Sequence, residues 1–225
     1  MVVCQPPAFV GVGTWVARLA MHEIAPGLVH WSVAHPGIGQ DVDSYLLAER
    51  GVVLNPMLPP DGLEPLRTGP APPTDVVLTN RHHVRDTPAF VEAFGCVVHV
   101  PESGVEEVRA GGLDARGYGP GEELPGGMVA LEVGAISADE AALHVPWAGA
   151  VAFADGLVRG DGGDGPLAFV PDGLMGDDPE EVKAGLMEAL ARVAELEPQH
   201  LLLAHGRPVV GDGAAALREF LARGR

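Results

Sequence analysis

The chain has 225 residues, 47% of them hydrophobic, and a formal net charge of −17. That length can bury a sizeable core without covalent staples, and that composition is globular rather than disordered. The acidic balance, with Lys183 the only lysine among 14 Lys and Arg residues, argues against a nucleic-acid partner unless basic residues cluster locally. Cys4 and Cys96 form neither a disulfide framework nor a Cys-based zinc site, which fits a reducing, cytoplasmic setting. No run of about 18 apolar residues suggests a membrane span.

Residues 1–20 are interrupted by Pro6, Pro7, Gly11 and Gly13, and no cation precedes their apolar stretch. They read as a poorly ordered N-terminal extension rather than a signal peptide. The remainder, 21–225, reads as a single domain. Leu28 to Ala34 is expected as a strand. Val42 to Ala48 and Val52 to Asn55 form a hairpin around Glu49, Arg50 and Gly51. A Pro-rich connection with one helical turn near Leu63 leads to a buried strand, Asp75 to Leu78. A helix follows over Thr87 to Phe94, with Thr87 as N-cap, Pro88 at the first position and Gly95 closing it. Cys96 to Val100 is again a strand.

Met128 to Val133, Ala141 to Val145 and Ala150 to Phe153 are the next strands, followed by a Gly- and Asp-rich loop from Gly156 to Asp178. The clearest helix comes next. Asp178 caps it, Pro179 starts it, and Val182, Leu186, Leu190, Val193 and Leu196 recur at helical spacing. Leu201 to Ala204 is a buried strand and Ala214 to Ala222 a closing helix. The order is β-rich, α/β, β-rich, α/β. A doubly wound Rossmann-like sheet is the alternative, but the β-rich openings of both halves disfavour it.

Three polar points each follow a predicted strand. They are the stretch Asn80-Arg81-His82-His83-Val84-Arg85-Asp86, then Asp155, then His205 before Gly206. Strand ends are where α/β folds place functional groups. His99 and His144 read as structural, and His22 and His200 as surface residues. His30, Trp31 and His35 are weaker candidates for a cleft. The Asp161-Gly162-Gly163-Asp164-Gly165 loop lacks the spacing of an EF-hand. No Gly-x-Ser-x-Gly elbow, Walker loop or Gly-x-Gly-x-x-Gly turn is present.

The arrangement resembles the metallo-β-lactamase superfamily, whose first metal motif is Thr-His-x-His-x-Asp-His after a strand. A lone His, a bridging Asp and a final His come later in that pattern. The likeness includes Ser44-Tyr45-Leu46-Leu47, Val52-Val53-Leu54-Asn55-Pro56 and Ala204-His205-Gly206-Arg207-Pro208, and it covers about His22 to Leu221. It implies a four-layer αββα sandwich. Thr79, His82, Asp155 and His205 match the pattern. Asn80, Val84 and Arg85 replace motif ligands, Ala135 or Ile136 stands in place of the lone His, and Asn55 stands where many members have Asp.

The resemblance implies metal-dependent hydrolysis of an ester, thioester, lactam or phosphoester, with two cations roughly 3.5–4 Å apart in the complete site. Here the retained ligands suffice for at most one zinc, iron or manganese ion on His82, Asp155 and His205, with His82 and Asp155 serving catalysis, or for none. His83 or Asp86 would join if the loop is shifted. Arg85, with Arg81, is expected to pair with Asp155 and replace part of the missing metal charge. Asn80, Arg81, His83 and Arg85 would then line a cleft for an anionic small molecule. The alternative is a non-catalytic descendant that binds a small anion or a protein partner in the same cleft. Nucleic acid and membrane are not expected partners, and a homo-oligomer is compatible with the chain.

Overall fold

The computed structural model describes residues 21–224; the expected extension over 1–20 lies outside them. The first sheet has seven strands in sequence order. These are β1 (His22–Ala25), β2 (Leu28–Ala34), β3 (Asp41–Leu47), β4 (Val52–Leu54), β5 (Asp75–Val77), β6 (Val97–Pro101) and β7 (Ala115–Tyr118). Pairing is antiparallel from β1 to β4 and parallel from β4 to β7.

The second sheet contains β8 (Glu123–Leu124), β9 (Met128–Glu132), β10 (Ala141–Val145) and β11 (Ala150–Phe153). After a two-stranded ribbon of β12 (Val158–Arg159) and β13 (Leu167–Ala168), it is completed by β14 (His200–Leu203) and β15 (Val209–Val210). Its order is β15-β14-β11-β10-β9-β8. Only β11 and β14 pair in parallel.

The short apolar runs are strands buried on both faces, which is why they alternate between two cores rather than between core and water. In β14, Leu202 joins the layer between the sheets, while Leu201 and Leu203 join the outer layer. In β5, Val77 faces inward and Val76 outward. The inter-sheet layer includes Leu28, Tyr45, Leu54 and Val77 from one side and Met128, Leu143, Ala152 and Leu202 from the other.

The outer face of the first sheet is covered by α1 (Glu64–Arg67), α2 (Thr87–Phe94) and α3 (Val105–Ala110) through Leu66, Phe90, Val105 and Val108. The outer face of the second is covered by α4 (Pro179–Ala194) and α5 (Gly213–Arg223) through Leu186, Leu190, Val193 and Leu217. Four layers, helix–sheet–sheet–helix, result. A doubly wound single sheet is ruled out.

Local chemistry accounts for the start of α4 and the end of α2. The Asp178 carboxylate accepts the Glu181 N–H at 3.0 Å at the start of α4, and Pro179 occupies its first position. Gly95 ends α2 in the left-handed conformation. Three expectations are corrected. Thr87 lies inside α2, and Asp86 holds the N-cap position, but its carboxylate accepts the Leu58 N–H at 2.7 Å instead of capping the helix. Leu196 lies beyond the end of α4 and is exposed. His200 is buried rather than on the surface, and its Nδ1 accepts the Gly211 N–H. The segment from Glu102 to Gly127, where the sequence suggested no element, contains α3, β7 and β8.

Candidate metal centre

Two parallel strand pairs, β4–β5 and β11–β14, end at the same edge of the sandwich. Asn55 directly follows β4, Thr79 and Asn80 follow β5, Asp155 follows β11 and His205 follows β14. The topology therefore brings polar residues far apart in the sequence onto one rim.

Asn80 organises the first of these turns. Its Oδ1 accepts the N–H groups of His82 and His83 at 3.0 and 3.1 Å, capping a 3₁₀ turn over Arg81–Val84. Its Nδ2 donates to Asp155 Oδ2 at 2.8 Å. The tight turn directs His83, not His82, toward Asp155: His83 is 4% exposed, and His82 is on the surface. Behind His83, Nδ1 meets the Thr79 hydroxyl at 3.1 Å. That hydroxyl accepts a hydrogen bond from Asn55 Nδ2 at 2.9 Å, and Asn55 Oδ1 accepts the Thr79 N–H. The ring is thus fixed with Nε2 pointing into the site.

Three atoms converge there. His205 Nε2 lies 3.1 Å and His83 Nε2 3.4 Å from Asp155 Oδ1, and the two Nε2 atoms are 3.3 Å apart. Among the described residues, His83, Asp155 and His205 are the group placed to hold a metal ion. Burial, reinforced by the Arg85 charge, pushes His83 down to about 4, so its imidazole is neutral at neutral pH. Burial opposes ionisation of Asp155, but His83 and His205 outweigh it and hold the carboxyl well below the usual carboxylate range.

The arginines are engaged elsewhere. The Arg85 guanidinium donates to the backbone carbonyls of Asp43, Asn55 and Ala204 at 2.8, 2.9 and 3.2 Å. It straps both sheets together from a backbone φ of 43° and makes no ion pair with Asp155. Burial pushes it down to about 10, so it remains a cation beside the site. Arg81 turns away: its guanidinium pairs with Asp139 and with Glu107, and its N–H donates to Asp139 Oδ2 at 2.7 Å. The expected pairing of Asp155 with these two arginines is therefore replaced by pairing with two histidines and an amide.

Two residues that the sequence reading passed over border the site. Glu140 is buried and accepts the Gly156 N–H; burial and the charge of Asp155 push it up to about 8. Asp43, 1% exposed, contacts His30 and the turn after β14. The signal for Asp43 was a lone carboxylate within the strand-like run Val42 to Leu47. Of the weaker cleft candidates, Trp31 is fully buried and donates from Nε1 to the Met57 carbonyl. His99 has a structural pairing with Asp75 at 2.8 Å.

No protein-family model and no curated protein matches the sequence. Solved structures do match in three dimensions. The metallo-β-lactamase family protein TTHA1429 from Thermus thermophilus is 17% identical, with 90% of this chain and 80% of that chain covered at a TM-score of 0.62. The metallo-β-lactamase FIM-1 from Pseudomonas aeruginosa, in its mono-zinc form, is 13% identical over 91% of this chain and 95% of its own, at 0.64. TTHA1623 in a di-iron-bound form is 25% identical over 82% and 96%, at 0.56. With two face-to-face sheets, helices on both outer faces and this extent of structural overlap, the chain has the metallo-β-lactamase fold.

Proposed function

We propose that the chain is a hydrolase-like protein that binds one divalent metal ion on His83 Nε2, Asp155 Oδ1 and His205 Nε2. The triangle of those three atoms, with edges of 3.1, 3.3 and 3.4 Å, carries the reading. A tetrahedral ion about 2.0–2.1 Å from each donor sets neighbouring donors roughly 3.3 Å apart. Protons on both Nε2 atoms would face each other across that gap, whereas one cation satisfies all three donors. Two imidazoles and a carboxylate suit zinc or ferrous iron, and the mono-zinc and di-iron forms of the similar structures support the same metals.

An ion at this position would supply the positive charge that acidifies water and polarises a carbonyl or phosphoryl oxygen. The protein side of the chemistry lies in its own residues. Thr79 and Asn55 hold His83 with Nε2 inward. Asn80 holds Asp155 with Oδ1 toward the histidines. The same amide donates to Oδ2, and the Arg85 cation stands nearby, which together disfavour a second ion on this side. The substrate would be an ester, thioester, lactam or phosphoester.

The alternative of a metal-free cleft for an anion draws no support from Arg81 or Arg85, whose guanidinium groups already have protein partners. Elemental analysis of protein purified without chelator or affinity metal tests the proposal. About one zinc, iron or manganese per chain is expected, lost in His83→Ala and His205→Ala and retained in His82→Ala. Full metal content in both of the first two variants, or none in the wild type after incubation with zinc and manganese, refutes it.

A further inference from the structure

We infer that the buried His30–Asp43 pair is the positioning device that sets the geometry of His205, an inference that rests on the metal-binding reading above for its consequence but not for its geometry. Asp43 brackets His205 on both sides. Its N–H donates to the carbonyl of Ala204 at 3.0 Å, and its Oδ2 accepts the N–H of Gly206 at 2.9 Å. Its own carbonyl accepts from Arg85 Nη1 at 2.8 Å, and Arg85 Nη2 also reaches the Ala204 carbonyl. The residues before and after His205 are thereby fixed to the first sheet, although His205 belongs to the second.

Asp43 Oδ1 is held by His30 Nε2 at 2.6 Å, on the adjacent strand β2. Both residues are less than 5% exposed. A buried carboxylate is costly unless its oxygens are paired, and here one oxygen is fixed by the imidazole so that the other faces Gly206. The turn leaves little latitude: Gly206 has φ of 96°, and a Cβ there would lie 2.5 Å from Arg159 Cβ. A small displacement of this turn moves His205 Nε2 out of the triangle. A second His–Asp pair, His99–Asp75, is only partly buried and joins β6 to the start of β5, the end away from Thr79 and Asn80. It provides an internal control.

The experiment uses the full chain with cobalt(II) as the probe and compares wild type, Asp43→Ala, Asp43→Asn, His30→Ala and Asp75→Ala. Two readouts are taken: hydrogen exchange of the Gly206 amide without metal, and cobalt affinity with its visible spectrum. Asp43→Ala should speed Gly206 exchange at least tenfold, weaken cobalt binding by about 10–100-fold and alter the spectrum. Asp43→Asn keeps an acceptor for Gly206 and should retain most of both. His30→Ala should fall between them and serves if Asp43→Ala does not fold. Asp75→Ala should lose stability with cobalt affinity and spectrum unchanged. Wild-type exchange and affinity in folded Asp43→Ala or His30→Ala overturns the inference, as does an equal loss in Asp75→Ala. If the wild type takes no cobalt, the metal reading falls and Gly206 exchange alone decides whether Asp43 positions the turn.

Discussion

Glu140→Gln should stabilise the metal-free protein, and by more the higher the pH. Glu140 is 4% exposed, its Oε1 accepts the Gly156 N–H, and its Oε2 has no hydrogen-bond partner among the described residues. Its carboxyl is pushed from 4.5 up to about 8 by burial, with the charge of Asp155 adding to the effect. The folded protein therefore holds a proton that the unfolded chain releases above pH 4.5, and stability falls as pH rises from there to about 8. At about 1.4 kcal/mol per unit, the loss is roughly 3 kcal/mol by pH 7 and roughly 5 kcal/mol above pH 8. Gln mimics the neutral acid, keeps the acceptor for Gly156 and removes this slope. Urea denaturation of both proteins at pH 5, 6, 7 and 8 in chelator measures the difference directly. The variant should match the wild type near pH 5 and exceed it by a few kcal/mol at pH 8. A difference that does not change with pH, or a less stable variant at pH 8, refutes the reasoning.

Three further outcomes follow from the same contacts. In the Glu140→Gln background the acid limb becomes visible. His83, pushed from 6.5 down to about 4 by burial and Arg85, contributes stability that is full above pH 6.5 and lost as pH falls toward 4, by about 3 kcal/mol in urea titrations. Arg85→Ala leaves the carbonyls of Asp43, Asn55 and Ala204 without that donor and should cost at least about 3 kcal/mol, with Arg85→Lys recovering only part; denaturation midpoints report both. Gly206→Ala, at φ of 96° and against Arg159 Cβ, should displace His205 and abolish metal uptake, as measured by elemental analysis.

The layers were legible because their signals are local. Apolar runs such as Leu201 to Leu203 and Ala150 to Phe153, each closed two residues on by His205 or Asp155, are strands in the structure, and Asp178-Pro179 marks the start of α4 by chemistry that a sequence displays openly. The segment with α3 and β7 was not legible. Gly111, Gly112, Gly117 and Gly119 mask its periodicity, and the Glu102 side chain lies where a Cβ at Gly117 would be. The strand ends could be read, but not the inward face of the turn between them. Whether His82 or His83 enters depends on the Asn80 cap, and a motif aligned by spacing alone does not contain it. The contact that Asp43 makes was hidden for another reason: its partner Gly206 is 163 residues away, and only the packing of two sheets brings them together.

The residues that depart from the family pattern act as a set, which predicts how the site responds to a single reversion. Val84 packs with the apolar cluster under α2 and offers no carboxylate. Asn80 donates to Asp155 Oδ2, so that oxygen already has a partner and is a poorer ligand for a second ion. Arg85 holds three carbonyls and puts a fixed positive charge beside the triangle. Replacing Arg85 by His alone removes the charge but leaves a site with one added imidazole, no second carboxylate and an amide still on Asp155. Catalytic zinc sites need about three protein ligands, so Arg85→His should keep one metal per chain. It should also be less stable, because the three carbonyls lose their common donor. Elemental analysis after zinc saturation reads the stoichiometry. Two ions per chain would mean that Arg85 alone excludes the second ion, and the role given to Asn80 would have to be withdrawn.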